Sequence, residues 1–288
     1  MLPFTLAQQY TGQTKASDII NDLARTPLSK VLMLVAICTL IRLALYPYMK
    51  SVPAHQRSGL FTVARFFNEA MDAIVYAGVF VFLVIRPFFI QAFKIPSESM
   101  LDTLLVNDFI VANKAIFRYS EPQFQDIIVF RPPGRACTPE QFDADGQVNV
   151  DFIKRCIGLP GDLIQIQNGT LYRNGKAVNE SYIKEKPVFD FKLVKYKGSY
   201  WPVVAQNNAA NWKGSFPIAD EYGVSEQSEM DALIALPAEK VPAGYFIMMG
   251  DNRNGSFDSR GWGLVPRDEI VGRAELIWFP INRWRRTH

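Results

Sequence analysis

Ser97 and Ser99 stand one residue apart in FKIPSESMLDTLL, residues 93–105, directly behind a long apolar run. A serine hydroxyl attacks a carbonyl only when a base removes its proton, and histidine is the usual base because it titrates near neutrality. The chain has two histidines, His55 and His288. His55 lies between two apolar runs, on the opposite membrane face from the region that follows, and His288 is the last residue. A Ser-His-Asp triad at Ser97 or Ser99 is therefore disfavoured. Lysine is the physical alternative, provided that burial leaves its amine neutral. From an ordinary value near 10.4, a fall to about 8 raises the neutral fraction at pH 7.5 from about a thousandth to about a quarter.

Lys154 is placed for that shift. In DFIKRCIGLPGD, residues 151–162, it interrupts an apolar strand, where an ammonium is costly unless it works or pairs. Strand alternation sends Ile153 and Arg155 to the opposite face, so Arg155 does not crowd the amine. Taken alone, two serines beside a proline fit an ordinary turn or helix cap equally well.

Metal chemistry finds little support. Cys38, Cys137 and Cys156 are too few and too scattered for a zinc site, and no metal or other cofactor is expected. Cys137 and Cys156 lie outside the apolar runs and either pair or stay free, whereas Cys38 reads as lipid-facing bulk. Lys plus Arg at 31 against Asp plus Glu at 28 gives a net charge of +3, too balanced for a nucleic-acid surface.

The elements that position these groups start with a tail, 1–29. Residues 30–49, KVLMLVAICTLIRLALYPYM, are long enough as a helix for one bilayer core, with Arg42 near enough to the end to snorkel. An interfacial amphipathic helix is the alternative. A second span is expected over 67–88, because only thirteen uncharged residues separate Asp72 from Arg86 and the flanks must contribute. Pro87 disfavours helix at Arg86. The segment between them, 50–66, carries Lys50, Arg57 and Arg65 without an acid and reads as a cytoplasmic loop, although the charged tail makes the orientation close to a tie.

From residue 91 to 288 short alternating runs such as DFIVANK, DIIVFRP and YFIMMGD, separated by Gly, Pro and Asn, predict an all-β domain. Asn174-Gly175 between strand-like flanks predicts a two-residue hairpin turn. Residues 188–240 read as an insertion or second β lobe. The fold class is mostly β, a membrane-anchored all-β catalytic domain behind two amino-terminal transmembrane helices.

PSESM at 96–100, KRCIGLPGD at 154–162 and GDNRNGSFDSR at 250–260, in that order behind apolar spans, closely resemble the bacterial type I signal peptidases, or leader peptidases. The resemblance implies Ser99 as nucleophile and Lys154 as general base, with Ser97 joining the Ser99 backbone N–H in an oxyanion hole. It implies that Ser256 hydrogen-bonds and orients the lysine amine. It also implies that Asp258 and Arg260 hold the loop, where ordinary turn salt bridging is the plainer alternative. Asp251 is expected as the partner of Arg155. Asn254 departs from the commoner family form, which has Asp there.

The same resemblance implies a plasma (inner) membrane enzyme, its catalytic domain extracytoplasmic, that cleaves signal peptides from preproteins after small residues in an Ala-x-Ala-like pattern. Phe93, Ile95 and Ile153 are the expected pocket residues for a substrate added as a strand against 93–97 and 151–154. Trp278, Phe279, Trp284 and the basic RWRRTH end fit either contact with membrane lipid or plain core packing. Two rivals stay open: a self-cleaving repressor, against which the apolar spans argue, and a catalytically inactive membrane-anchored β module that binds secretory proteins.

Overall fold

The computed structural model describes residue 26 and residues 28–53, 59–206 and 227–287. Both histidines and most of the amino-terminal tail lie outside the described residues, as does 207–226 within the expected insertion. The described chain divides into two compact units between Ala92 and Phe93.

The first unit holds two helices, α1 (Leu28–Ser51) and α2 (Gly59–Phe80). In α1 the buried positions are Val31 and Cys38, seven residues apart and so on one face. Val31 and Val35 of that face approach Gly78 of α2. Cys38 is thus 6% exposed, a helix-packing residue rather than outward-facing bulk. Arg42 does not reach for an interface either, because it pairs with Asp72 of α2. The second helix starts at Gly59, inside the stretch expected to be loop. Arg65 causes no break there, since it donates to Glu69 one turn on at 2.8 Å.

Helical backbone also continues past the expected stop at Arg86. Residues Val81–Ile85 form a π-helical turn, the Arg86 N–H bonds to the Val81 carbonyl five residues back, and one last turn, Arg86–Phe88, follows. The proline sits at the start of that turn, where a missing N–H is tolerated.

The second unit is β. Its strands are β1 (Ile90–Lys94, straddling the boundary), β2 (Phe109–Asn113), β3 (Ile127–Phe130), β4 (Phe152–Gly158), β5 (Ile164–Gln167), β6 (Thr170–Arg173), β7 (Lys176–Ala177), β8 (Phe189–Tyr196), β9 (Ser199–Gln206), β10 (Tyr245–Met249), β11 (Val265–Pro266), β12 (Ile270–Phe279) and β13 (Arg285–Arg286). Two short helices join them, α3 (Gln227–Ala235) and α4 (Ser259–Trp262). Among the described residues, one sheet runs β1-β2-β12-β3-β4-β10-β11, with β13 on β12, and the other runs β7-β6-β5-β8-β9.

The second sheet is built from local hairpins. Asn174-Gly175 has φ of 53° and 78°, the left-handed pair that a type I′ turn needs, and sets Arg173 opposite Lys176. Alternation along β4 distributes side chains to two cores. Cys156 packs with Ile128, Phe130, Phe246 and Met248, while Ile153 packs against Ile95, Met100, Leu104 and Ile127. All three cysteines are free, and Cys156 is an inert core thiol whose pKa burial pushes up. Trp278 packs edge-on against Phe109 at 5.9 Å, whereas Trp284 is 67% exposed.

Candidate active site

Ser99 sits on a single 3-10 turn, Glu98–Met100, entered from extended backbone at Ser97. Met100 and Leu104, both fully buried, anchor the turn in the core, and the Leu104 N–H bonds to the Met100 carbonyl at 2.8 Å. The apolar Met100 thereby fixes the direction of the hydroxyl one residue earlier.

Register brings the lysine to it. In β4, Lys154 is paired with Ile128 of β3, and its Nζ lies 2.8 Å from Ser99 Oγ. The amine also donates to the Ile153 carbonyl at 3.0 Å and lies 5.6 Å from the centre of the Phe152 ring. Lys154 is 5% exposed. Burial brings its pKa down to about 8, with Arg260 assisting and the carboxylates of Asp258 and Asp251 partly opposing. Arg155, on the other face of the strand, is not among these influences.

Ser97 is exposed, and its hydroxyl donates to Ser99 Oγ at 3.3 Å. Ser256 is placed differently from expectation. The amine's hydrogen bonds go to Ser99 and Ile153, and the buried Ser256 Oγ makes none. Its rotamer instead turns the oxygen against Gly250, near enough to favour the charged form of Asp258 without completing a hydrogen bond.

Two of the buried ion pairs that hold the 250–260 loop are Asp251–Arg155 and Asp258–Arg260. Asp251 accepts from Arg155 Nε at 2.8 Å and Nη2 at 2.6 Å, and from the Thr103 hydroxyl at 2.6 Å. Asp258 accepts from Arg260 Nε and Nη2, both at 2.7 Å, and from the Gly250 N–H at 3.0 Å. Burial pushes the Asp258 carboxyl up, but Arg260 and the Gly250 N–H outweigh it and hold it below the usual range. The loop also clasps the serine turn: the Asn252 N–H donates to the Ser99 carbonyl and its side-chain amide to the Glu98 carbonyl, both at 3.1 Å.

Asn254 shows what its amide does. Nδ2 donates to the Lys186 carbonyl at 3.0 Å while Oδ1 accepts from the Val188 N–H at 3.1 Å, and a carboxylate has no donor for the first. Phe93 and Ile153 are partly buried beside the core containing Ile95, but Ile95 itself is 2% exposed and belongs to that core rather than to the surface.

Sequence reasoning missed Gly250, Asn252 and Thr103, and also Arg253, Glu180 and Tyr182. The first two and Arg253 lie inside the quoted GDNRNGSFDSR, alongside the expected Asp251, Asn254, Ser256, Asp258 and Arg260. Nothing local in NESYIKEKP marks Glu180 or Tyr182.

The family model described as "Signal peptidase, peptidase S26" matches residues 67–279. A signal peptidase I from Leptolyngbya laminosa is 35% identical over 218 residues, covering 75% of this chain and 83% of its own. A probable signal peptidase I-1 from Synechocystis sp. is 33% identical over 76% of this chain and 86% of its own. A signal peptidase I from Pseudomonas fluorescens is 33% identical over 73% and 72%. A crystal structure of a signal peptidase I from Enterococcus faecalis V583 aligns with 54% of this chain and 97% of its own at 26% identity, with a TM-score of 0.29, too low to bear on the fold. By the extent of the family match and the coverage of these relatives, the chain belongs to the peptidase S26 family of signal peptidases.

Proposed function

We propose that the protein is a membrane-bound serine endopeptidase that removes signal peptides from exported preproteins after small residues, using Ser99 and Lys154. The observation that carries this reading is the 2.8 Å between Lys154 Nζ and Ser99 Oγ, with the amine sealed from water. Neutral Lys154 takes the Ser99 proton as Oγ attacks the scissile carbonyl, and the resulting ammonium protonates the departing amine of the mature chain. Water then attacks the acyl-enzyme, losing its proton to Lys154, and Ser99 is released. Ser97 Oγ and the Ser99 N–H hold the oxyanion, with Ser97 turning from Ser99 Oγ to the new charge. Ser256 orients the lysine once substrate is bound. Asp251 with Arg155 and Asp258 with Arg260 keep the loop in register.

Two features support a substrate that binds as a strand. Among the described residues β1 has a sheet neighbour on one side only, and β10 pairs with β4 only from Arg155 onward, leaving 152–154 open on that side. Phe93 and Ile153, packed on one cluster, then line the pocket for the small residue.

Membrane anchoring rests on α1 and on the Gly59–Ile85 helix, whose mean hydropathies are 2.1 and 1.7. Their 24 and 27 residues reach about 36 and 40 Å at the helical rise, enough for a bilayer core. The orientation proposed is the one with the β unit on the extracytoplasmic side of the plasma membrane. Exposed Ile281 and Trp284 are suited to lipid contact, although Arg283 is engaged by Asp108 and Arg285 by the Thr103 carbonyl.

Incubation of the purified full chain in detergent with a preprotein carrying an Ala-x-Ala junction, scored by intact mass, tests the reading. The unmodified protein releases two fragments cut after the second Ala; Ser99→Ala and Lys154→Ala each release none while keeping the unmodified circular dichroism. Cleavage by either variant overturns it.

A further inference from the structure

Arg253, in the middle of the active-site loop, is fully buried. It spends its guanidinium in two directions. Nε donates to the Gly250 carbonyl at 3.1 Å, while Nη1 and Nη2 donate to the two oxygens of Glu180 at 3.1 and 2.5 Å. Glu180 has only 4% of its side chain exposed and is also the acceptor for the Tyr182 hydroxyl at 2.7 Å. The Tyr182 ring in turn lies 3.8 Å from the guanidinium of Arg155, the cation that grips Asp251. Glu180 and Tyr182 thus touch both cations that flank Gly250, one through its carbonyl and the other through the residue that follows it.

The segment after Tyr182 tightens the same connection. The Lys184 N–H donates to the Asp251 carbonyl at 3.3 Å, and Asn254 holds Lys186 and Val188. The loop has no slack to absorb a shift, because a methyl group on Gly250 would collide with the Ser99 carbonyl and the Ser256 side chain. A displacement of Gly250 therefore moves the Ser99 carbonyl or the Ser256 side chain.

We propose that Glu180 and Tyr182 are positioning residues for the Ser99–Lys154 pair, fixing Gly250 from outside the three sequence boxes by clamping Arg253 and Arg155. The proposal rests on the dyad reading above. A charge left unpaired beside Gly250 loosens the loop and admits water to the amine, which raises the fraction that is protonated at neutral pH. A residue that merely adds global stability would lower the melting temperature without changing how the folded enzyme titrates.

The test uses the full chain in detergent and a peptide substrate spanning an Ala-x-Ala junction, with kcat and KM measured from pH 6 to 10 per folded molecule. In the unmodified protein kcat is expected to rise through about pH 8. Glu180→Gln and Tyr182→Leu are expected to lower kcat at pH 7.5 about tenfold with KM within about twofold, and to move the midpoint upward by about half a pH unit or more. Tyr182→Phe keeps the ring against Arg155 and restores the midpoint. Asp162→Asn, which breaks the ion pair to Arg173 instead, leaves the midpoint in place. Unmoved midpoints in both Glu180→Gln and Tyr182→Leu overturn the proposal. An unmodified protein whose kcat is flat through pH 8 overturns the dyad reading itself, and the proposal with it.

Discussion

The α-carbon of Gly250 rests directly against the carbonyl of Ser99, with no room for a methyl group between them. Two residues 151 positions apart in the chain meet at the turn that carries Ser99. Gly250→Ala forces either the Ser99 carbonyl or Ser256 aside, and an ångström of displacement at a reacting centre costs on the order of a hundredfold in rate. Steady-state kinetics are expected to show that loss in kcat, with KM little changed. Normal kcat in Gly250→Ala would mean that the contact is slack.

The Lys154 amine has a definite pH signature. Its pKa is about 8 in the folded chain against 10.5 ordinarily, so kcat/KM should climb with pH to a plateau above about 8. The stability sign is the reverse of a salt-bridged lysine. Below pH 8 the folded state carries a desolvated ammonium, and between 8 and 10.5 the unfolded chain binds more protons than the native one, so stability rises with pH across that window. The shift corresponds to about 3 kcal/mol. Lys154→Met should therefore be inactive and yet more stable than the unmodified protein at pH 7, with the difference shrinking by pH 10. Urea denaturation at the two pH values measures it.

Asp251 and Arg155 form a pair with side-chain exposures of 0% and 6%. Removing one partner strands the other charge, so Asp251→Leu should cost about 3–5 kcal/mol, whereas Asp251→Leu combined with Arg155→Met should recover most of it. Chemical denaturation of the two variants gives the comparison. Equal losses in the single and double variants would contradict the pairing argument.

Of the two residues proposed to line the pocket, Ile153 has the clearer specificity consequence. Shortening it to Ala enlarges the space beside the scissile bond, and one or two methylene groups in an apolar pocket are worth about 10- to 200-fold in discrimination. Ile153→Ala should accept Val or Leu at the cleavage position, read by competition between peptides that differ only there. Unchanged selectivity would place the pocket elsewhere.

What was legible in the sequence is what short-range physics decides. Asn174-Gly175 specifies its own turn. The opposite faces of Lys154 and Arg155 follow from the two-residue repeat of a strand, and Arg155 does reach Asp251 on its side. The features that escaped depend on partners far along the chain. Arg42 pairs with Asp72 instead of extending to an interface, which only the packing of α1 on α2 reveals. The Arg65–Glu69 pair that carries helix into the expected loop is local, and its spacing of four residues is the sequence mark of a helical turn. The place of Ser256 in its motif leaves its hydroxyl rotamer open, because neighbours from elsewhere in the chain set it. Glu180 becomes meaningful only when Arg253, 73 residues on, is buried against it.

The clasp between the serine turn and the Asn252 amide also orders events in time. A ribosome delivers the apolar hairpin first, Ser99 soon after, and the loop that shelters Lys154 only after another hundred or more residues. Until residue 260 has emerged, the growing polypeptide carries Ser99 and Lys154 without the loop that grips the serine turn, and on the proposed mechanism its own apolar segments pass through synthesis before the dyad is complete.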